Sequence, residues 1–135
     1  MKEILTQKAK EAMKSAYAPY SSFKVGAALL CSDGSIYTGC NIENASFSPT
    51  VCAERVAIFK AVSDGKRDFS AIAVCGGKEG VLTEKYCFPC GVCRQVMSEF
   101  CKADFKIYVM SKDDVKEYAL SELLPESFGA EDVNI

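Results

Sequence analysis

Three of the chain's eight cysteines lie in the short segment CFPCGVC, from Cys87 to Cys93, and the chain contains no histidine. Proline is typical of the first turn of a helix, so Pro89 predicts that Cys90 and Cys93 lie in the first turn of one helix. Side chains three residues apart share one side of a helix, and the positive end of the helix dipole favours thiolate. The segment therefore predicts two thiolates that can face one metal ion.

Cys52 and Glu54 lie at the start of a second predicted helix. Residues two apart point to nearly opposite sides of a regular helix, so both reach one site only if Cys52 lies at the helix end. Three thiolates with an open fourth position are typical of catalytic zinc, whereas structural zinc fills that position with another Cys or His. We therefore predict one Zn²⁺ held by Cys52, Cys90 and Cys93, with Glu54 beside the open position to take a proton from bound water.

Two other types of cysteine site compete with this interpretation. An iron–sulfur centre built on Cys87, Cys90 and Cys93 needs a fourth cysteine soon afterwards, followed by proline, but the next thiol is Cys101 and no proline follows it. A structural zinc with Cys87 as fourth ligand leaves Glu54 unexplained. Cys87 is expected to be a small buried side chain. No role is assigned to the remaining thiols, Cys31, Cys40, Cys75 and Cys101.

Composition limits the classes of protein to which the chain can belong. Its 135 residues, 49% of them hydrophobic, fit one folded domain over residues 1–135. The net charge is −2 and no basic stripe is present, which argues against a nucleic-acid partner. No apolar run approaches the length of a membrane span or forms a signal peptide. We expect a cytoplasmic protein with reduced cysteines and no membrane partner.

Hydrophobic periodicity and turn residues predict a mixed α/β fold. The chain should form a helix over 2–16, a β-hairpin of 24–31 with 35–42, and a helix over 51–65 opened by Ser48-Pro49-Thr50. A strand at 69–76, a helix from Pro89 and a strand at 105–110 follow, with Val92, Val96, Met97 and Phe100 as the helix's core face. Strands that alternate with helices imply some parallel pairing. Residues 115–120 are a possible strand, and SFGAEDVNI, 127–135, is expected to be a tail.

Five blocks of the sequence resemble the small, homotetrameric cytidine deaminases, which act on free nucleosides. The blocks are PYSSFKVGAAL (19–29), GCNIENASF (39–47), CAER (52–55), PCGVCRQ (89–95) and LLPESF (123–128). They span most of the chain in family order. The resemblance implies α/β/α layers and one Zn²⁺ per subunit. It also implies hydrolysis of cytidine and deoxycytidine to uridine and deoxyuridine, with release of ammonia, as a step of pyrimidine salvage.

The resemblance also implies roles for individual residues. Cys52, Cys90 and Cys93 would bind zinc and Glu54 would shuttle protons. Phe23, Asn41 and Glu43 would contact the nucleoside, the latter two at the ribose hydroxyls. Ala53 would offer backbone groups to the base, and Phe128 would stack on the pyrimidine in a neighbouring subunit's site.

Two further expectations concern residues near these blocks. Three thiolates on Zn²⁺ leave one net negative charge, which Arg55 or Arg94 could offset through N–H bonds to sulfur; the resemblance favours Arg55. Phe47 stands where relatives often have Tyr and is expected to serve only in packing. Large apolar residues near the C-terminus, Leu123, Leu124 and Phe128, suggest association.

Overall fold

The computed structural model describes residues 1–133 as five strands and five helices, so the last two residues of the expected tail lie outside the described residues. The strands are β1 (Phe23–Cys31), β2 (Ile36–Cys40), β3 (Phe69–Lys78), β4 (Lys106–Met110) and β5 (Val115–Ala119). The helices are α1 (Lys2–Met13), α2 (Ala53–Ser63), α3 (Gly91–Phe100), α4 (Leu120–Leu123) and α5 (Ala130–Val133). The sheet order is β2-β1-β3-β4-β5.

The mixed sheet confirms both kinds of predicted strand pairing. β1 and β2 form the antiparallel hairpin, in which Ala28 lies opposite Thr38. The turn between them uses Gly34 at φ +93°, a left-handed conformation that glycine adopts without steric cost. β3 pairs antiparallel with β1 and parallel with β4, and the connection from β3 to β4 passes through α3. β5 pairs antiparallel with β4 at the edge of the sheet, and it lies where the sequence predicts a possible strand.

Two hydrophobic clusters show that helices cover both faces of the sheet. On one face, α1 contributes Leu5, Ala9 and Met13 to a cluster with Ala28 and Ala73. On the other face, α2 and α3 pack together over a larger cluster that includes Ala57, Ile58, Cys93, Met97, Ile72 and Val109. The alternation of side chains along a strand supplies both clusters from the same strands. The α/β/α layering expected from the resemblance is therefore confirmed.

The predicted start of α2 at Ser48-Pro49-Thr50 is wrong. Cys52 is the N-cap residue and Ala53 is the first helical residue. The cause is a β-bridge to the segment after β2, because Val51 exchanges two backbone hydrogen bonds of 3.0 Å with Ile42 and is therefore extended. A residue held in a β-bridge cannot adopt helical φ and ψ.

The other helix boundaries also differ from the prediction. α1 ends at Met13 and not at residue 16, because Tyr17 forms a parallel bridge to Ile42. α3 begins at Gly91, with Cys90 as N-cap. Val92 is exposed and was wrongly assigned to the core face of this helix, whereas Met97 is fully buried. The expected tail contains the short helix α5.

Gly39 allows the first turn of α2 to lie directly on β2. A Cβ atom at this position would lie 2.3 Å from the carbonyl oxygen of Ala53 and 2.6 Å from the amide nitrogen of Ala57. Both atoms belong to the helix backbone and cannot turn away as a side chain can. The close approach fixes the distance between the sheet and the N-terminal end of α2, which carries Cys52 and Glu54.

Gly39→Ala should destabilise the protein by about 1–3 kcal/mol, the usual cost of overpacking. Urea unfolding at matched protein concentration measures the effect. Gly129→Ala is the matched control, because a Cβ at Gly129 meets no atom within 4 Å in the described part of the chain. Equal stability of the two variants would contradict the close packing inferred at Gly39.

Candidate active site

Cys52 and Cys90 occupy equivalent positions at the N-termini of two neighbouring helices. Each is the N-cap residue and has an extended backbone, with φ −77° and ψ 156° at Cys52 and φ −70° and ψ 169° at Cys90. Within residues 1–133, neither side chain makes a capping hydrogen bond to its own helix. Their sulfur atoms can therefore point beyond the helix ends, where the helix dipole favours negative charge.

The sulfur atoms of Cys52, Cys90 and Cys93 come together in one group, all within 4.8 Å of one another. The Sγ atoms of Cys52 and Cys90 are 3.8 Å apart, and those of Cys90 and Cys93 are 3.7 Å apart. A tetrahedral zinc with Zn–S bonds of about 2.3 Å requires sulfur atoms about 3.8 Å apart. The thiol spacing therefore fits a zinc ion.

The charge state of this group depends on hydrogen bonds between its members. The Cys93 thiol and then the Arg55 guanidinium donate to Cys52 and lower its pKa well below the usual range, although burial acts in the opposite direction. The Cys52 thiol therefore ionises more readily than that of a free cysteine. A thiolate is the form that binds metal.

Cys87 lies outside the sulfur group formed by the described residues. Burial, and then the nearby charge of Glu54, raises the pKa of its thiol to about 12. Burial likewise raises the pKa values of the four thiols without a predicted role, Cys31, Cys40, Cys75 and Cys101. These side chains stay protonated at neutral pH. A zinc closed by Cys87 has no support, because the Cys87 sulfur lies outside the group formed by the other three.

Glu54 lies in the first turn of α2 and is only 3% exposed. Burial raises the pKa of its carboxyl group to about 7, against an ordinary value of 4.5. Such a group can both accept and release a proton near neutral pH. Because Cys52 is the N-cap and not a helical residue, both side chains reach the same cavity, as the sequence argument required.

The two candidate cations have different partners. Nη2 of Arg55 donates to the sulfur of Cys52 over 3.4 Å, and its Nε is buried without a hydrogen-bond partner among residues 1–133. Arg94 instead donates to backbone carbonyls, from Nε to Pro89 and from Nη1 to Leu123, both over 2.8 Å. Arg55 is therefore the cation placed against the thiolates, and Arg94 ties α3 to the end of α4.

A cavity of about 280 Å³ opens above the sulfur group. Its walls contain seven residues predicted from the sequence, Phe23, Asn41, Glu43, Cys52, Ala53, Glu54 and Cys90. Cys93 lies beneath the cavity, fully buried. Six other lining residues were not predicted, namely Ser21, Val25, Thr50, Val51, Cys87 and Phe88. Phe88 had a weak signal in the sequence, an aromatic residue two positions before a metal ligand.

Asn41 and Glu43 organise the backbone in one part of the cavity wall. The carboxamide of Asn41 accepts the Val25 amide and donates to the Phe23 carbonyl, both over 2.8 Å. The Glu43 carboxylate accepts the amides of Tyr20 and Ser21 over 3.0 and 3.1 Å, and also the Ser21 hydroxyl. The Ser21 hydroxyl, more than the amides, lowers the pKa of Glu43 and keeps it ionised.

Both side chains retain hydrogen-bonding capacity for a ligand. A carboxylate offers about four acceptor positions, and a carboxamide two donors and two acceptors. Three acceptor positions of Glu43 are in use, as are one donor and one acceptor of Asn41. The remaining groups can bind hydroxyls in the cavity.

Two phenylalanines lie on the outside of the described chain. Phe128 is 61% exposed and is absent from the described walls of the cavity, while its carbonyl accepts Nε2 of Gln95 over 2.8 Å. Phe47 is 82% exposed, so the expectation that it serves in packing is wrong for this chain. Leu123 and Leu124, in contrast, pack partly buried against the chain's own core.

Residues 1–110 match the family model described as the cytidine and deoxycytidylate deaminase zinc-binding region. The chain belongs to this family. The sequence-based prediction of Zn²⁺ as the cofactor is confirmed by the zinc-binding family and by sulfur atoms that fit the ion. None of the helices described is both long and apolar enough to cross a membrane.

Full-length relatives and solved structures support membership of the deaminase family. A protein named cytidine deaminase from Halalkalibacterium halodurans is 52% identical, and the alignment covers 98% of this chain and 98% of that protein. One of the same name from Sporosarcina psychrophila is 50% identical, and the alignment covers 98% of this chain and 94% of that protein. A crystal structure of cytidine deaminase from Burkholderia pseudomallei superposes with a TM-score of 0.88 at 44% identity, covering 95% of this chain and 99% of that one. The Mycobacterium tuberculosis cytidine deaminase structure gives 0.79 at 38% identity, covering 94% of this chain and 96% of that one.

Cys93→Ala should remove zinc from the purified protein, because only two thiols of the group remain. Metal analysis of wild type and variant measures the loss, and the expected wild-type content is close to one zinc per chain. Cys87→Ala is the matched control and should keep its zinc. Loss of zinc from both variants would contradict a three-thiol site.

Proposed function

We propose that the protein catalyses the hydrolytic deamination of cytidine and deoxycytidine to uridine and deoxyuridine, with release of ammonia. The observation that carries this proposal is the position of Glu54, a buried carboxyl group in the same cavity as three thiols that fit zinc. Relatives named cytidine deaminase align over nearly their whole length, which supports the same reaction.

The cavity favours a nucleoside over the nucleotide deoxycytidylate. Its volume, about 280 Å³, lies just below the usual range for drug-sized ligands and suits a small one. Glu43 places a negative charge in the cavity wall, and the described lining contains neither lysine nor arginine. A phosphate group at the sugar would meet this carboxylate without a cation to neutralise it.

The zinc would be held by Cys52, Cys90 and Cys93. When bound, zinc supplies the Lewis acidity that makes water a nucleophile at neutral pH. Arg55 donates to the Cys52 sulfur and so withdraws negative charge from the ligand set. Its partly buried guanidinium compensates for the absence of a neutral histidine ligand.

Glu54 carries the protons of the reaction. Its carboxylate accepts the proton that the attacking water gives up and delivers it to N3 of the pyrimidine, which makes C4 electrophilic. After water's oxygen has bonded to C4, Glu54 takes the remaining proton from that oxygen and delivers it to the amino group. The C4–N bond then breaks to release ammonia, and the oxygen forms the C4=O bond of the product. One carboxyl group serves both transfers because N3 and the amino nitrogen are attached to the same carbon.

The other lining residues would position the nucleoside. Asn41 and Glu43 would bind the ribose hydroxyls with the donor and acceptor positions that remain free. Ala53, at the first helical position of α2, would offer backbone groups to the base, and Phe23 would contact the ring.

The proposal extends to assembly and cellular role. One catalytic domain over residues 1–135 would form a homotetramer, in which Phe128 of each chain enters a neighbour's site and stacks on the pyrimidine. Its exposed position outside the walls of its own cavity supports this arrangement. We assign the protein to pyrimidine salvage in the cytoplasm, with nucleosides and other copies of itself as partners.

Pure protein should convert cytidine and deoxycytidine, followed by the change in ultraviolet absorbance, and should leave cytosine and deoxycytidylate nearly untouched. Glu54→Gln should abolish nearly all of this turnover while zinc content and thermal stability stay at wild-type values, because the amide cannot accept the proton. Glu117→Gln, on the exposed edge of β5, is the control and should remain active. Substantial activity of Glu54→Gln, or turnover of cytosine but not nucleosides, would contradict the proposal.

Phe128→Ala should raise the KM for cytidine roughly fivefold, which corresponds to about 1 kcal/mol of lost aromatic stacking. Steady-state kinetics measures this change, and light scattering should give the mass of a tetramer for both proteins. Val133→Ala, another exposed apolar residue of the C-terminal segment, serves as control. A fully active monomer, or an unchanged KM after removal of residues 127–135, would exclude Phe128 from the site.

A further inference from the structure

Two residues of the cavity wall remain without a role in the proposed reaction, although they lie beside its reacting end. Cys87 and Phe88 directly precede Pro89 and the zinc-ligand candidate Cys90, and both line the cavity. They approach the cavity from the segment that leads into α3, whereas Glu54 and Ala53 approach it from α2.

The sheet holds this part of the wall in place. The amide of Cys87 donates to the carbonyl of Met110, at the end of β4, over 3.0 Å. The ring of Phe88 packs on Tyr118 of β5 with ring centroids 5.6 Å apart and an interplanar angle of 57°. Tyr118 itself packs against the larger core cluster. The wall therefore rests on two neighbouring strands and not on a free loop.

Little space is available behind the wall. A Cβ atom at Gly76 of β3 would lie 3.1 Å from Sγ of Cys87 and 3.0 Å from Cε2 of Phe23. The side chains of Cys87 and Phe23 thus lie almost in contact with the backbone of β3, which carries no side chain at Gly76. A ligand group that presses on Cys87 cannot push it deeper into the protein.

The chemistry of the base decides which of its edges meets this wall. C4 of cytosine has two ring neighbours, N3 and C5. The proposed reaction directs N3 to Glu54 on α2 and C4 to the thiolate ligands. The remaining neighbour, C5, then points away from Glu54 and towards the segment that supplies Cys90.

We propose that Cys87 and Phe88 form the wall against the C5 edge of the pyrimidine and set the size of the substituent accepted at C5. This inference rests on the proposed nucleoside deaminase activity. The unsubstituted C5 of cytidine fits against this wall, whereas a methyl group at C5 would clash with it. Both residues are specificity determinants and take no part in proton transfer.

The test compares kcat/KM for cytidine and 5-methylcytidine in wild type, Phe88→Ala and Cys87→Ala. Each truncation should raise the ratio of 5-methylcytidine to cytidine activity about tenfold or more, since one methyl group in a tight pocket changes rates 10- to about 200-fold. Phe88→Leu should move the ratio in the same direction by less. Phe59→Ala is the control, because Phe59 is 45% exposed, close to the 43% of Phe88, and lies outside the described cavity lining.

The results separate the wall from the reaction on which it depends. If Phe88→Ala and Cys87→Ala turn over cytidine normally and keep the wild-type ratio of 5-methylcytidine to cytidine activity, the proposed wall is wrong and the proposed function stands. An equal loss for both substrates in Phe88→Ala also overturns it, because that result places the side chain on the face of the ring and not at C5. A wild-type protein inactive on cytidine overturns the proposed function and the wall together.

Discussion

The site depends on two places where extended backbone turns directly into helix on the same face of the sheet. At Cys52 the β-bridge between Val51 and Ile42 holds the chain extended up to the first residue of α2. At Cys90 the backbone is likewise extended, with φ −70° and ψ 169°, and Gly91 is the first helical residue. The two N-cap thiols can therefore point beyond their helices and meet each other.

This convergence creates an electrostatic problem that the neighbouring groups solve. Three thiols whose sulfur atoms lie within 4.8 Å cannot all ionise unless positive charge is close. Two helix N-termini and the Arg55 guanidinium provide part of it before any metal is considered. Glu54 experiences the opposite balance, because burial disfavours its charged form. One small volume thus contains a thiol that ionises easily and a carboxyl group that titrates near neutral pH.

The parts of this site that local chemistry determines could be predicted from the sequence, and the parts that depend on distant contacts could not. The spacing of Cys90 and Cys93 determines that they share one side of a helix start, and the Ser32-Asp33-Gly34 turn determines the hairpin. The prediction starts α2 too early, because local helix-start signals do not show that Val51 pairs with Ile42 in a β-bridge. The position of Phe88 depends in part on its packing on Tyr118, thirty residues later in the chain.

The same dependence explains why the residues proposed to bind the ribose also hold neighbouring backbone segments together. Asn41 joins the chain after β2 to the backbone of β1, and Glu43 holds the loop at Ser21. Each would bind a substrate hydroxyl only with the hydrogen-bonding capacity left over from these contacts. The orientation of both groups is therefore set before a ligand arrives, so little side-chain entropy is lost on binding. A replacement at either position changes the shape of the cavity wall as well as its chemistry.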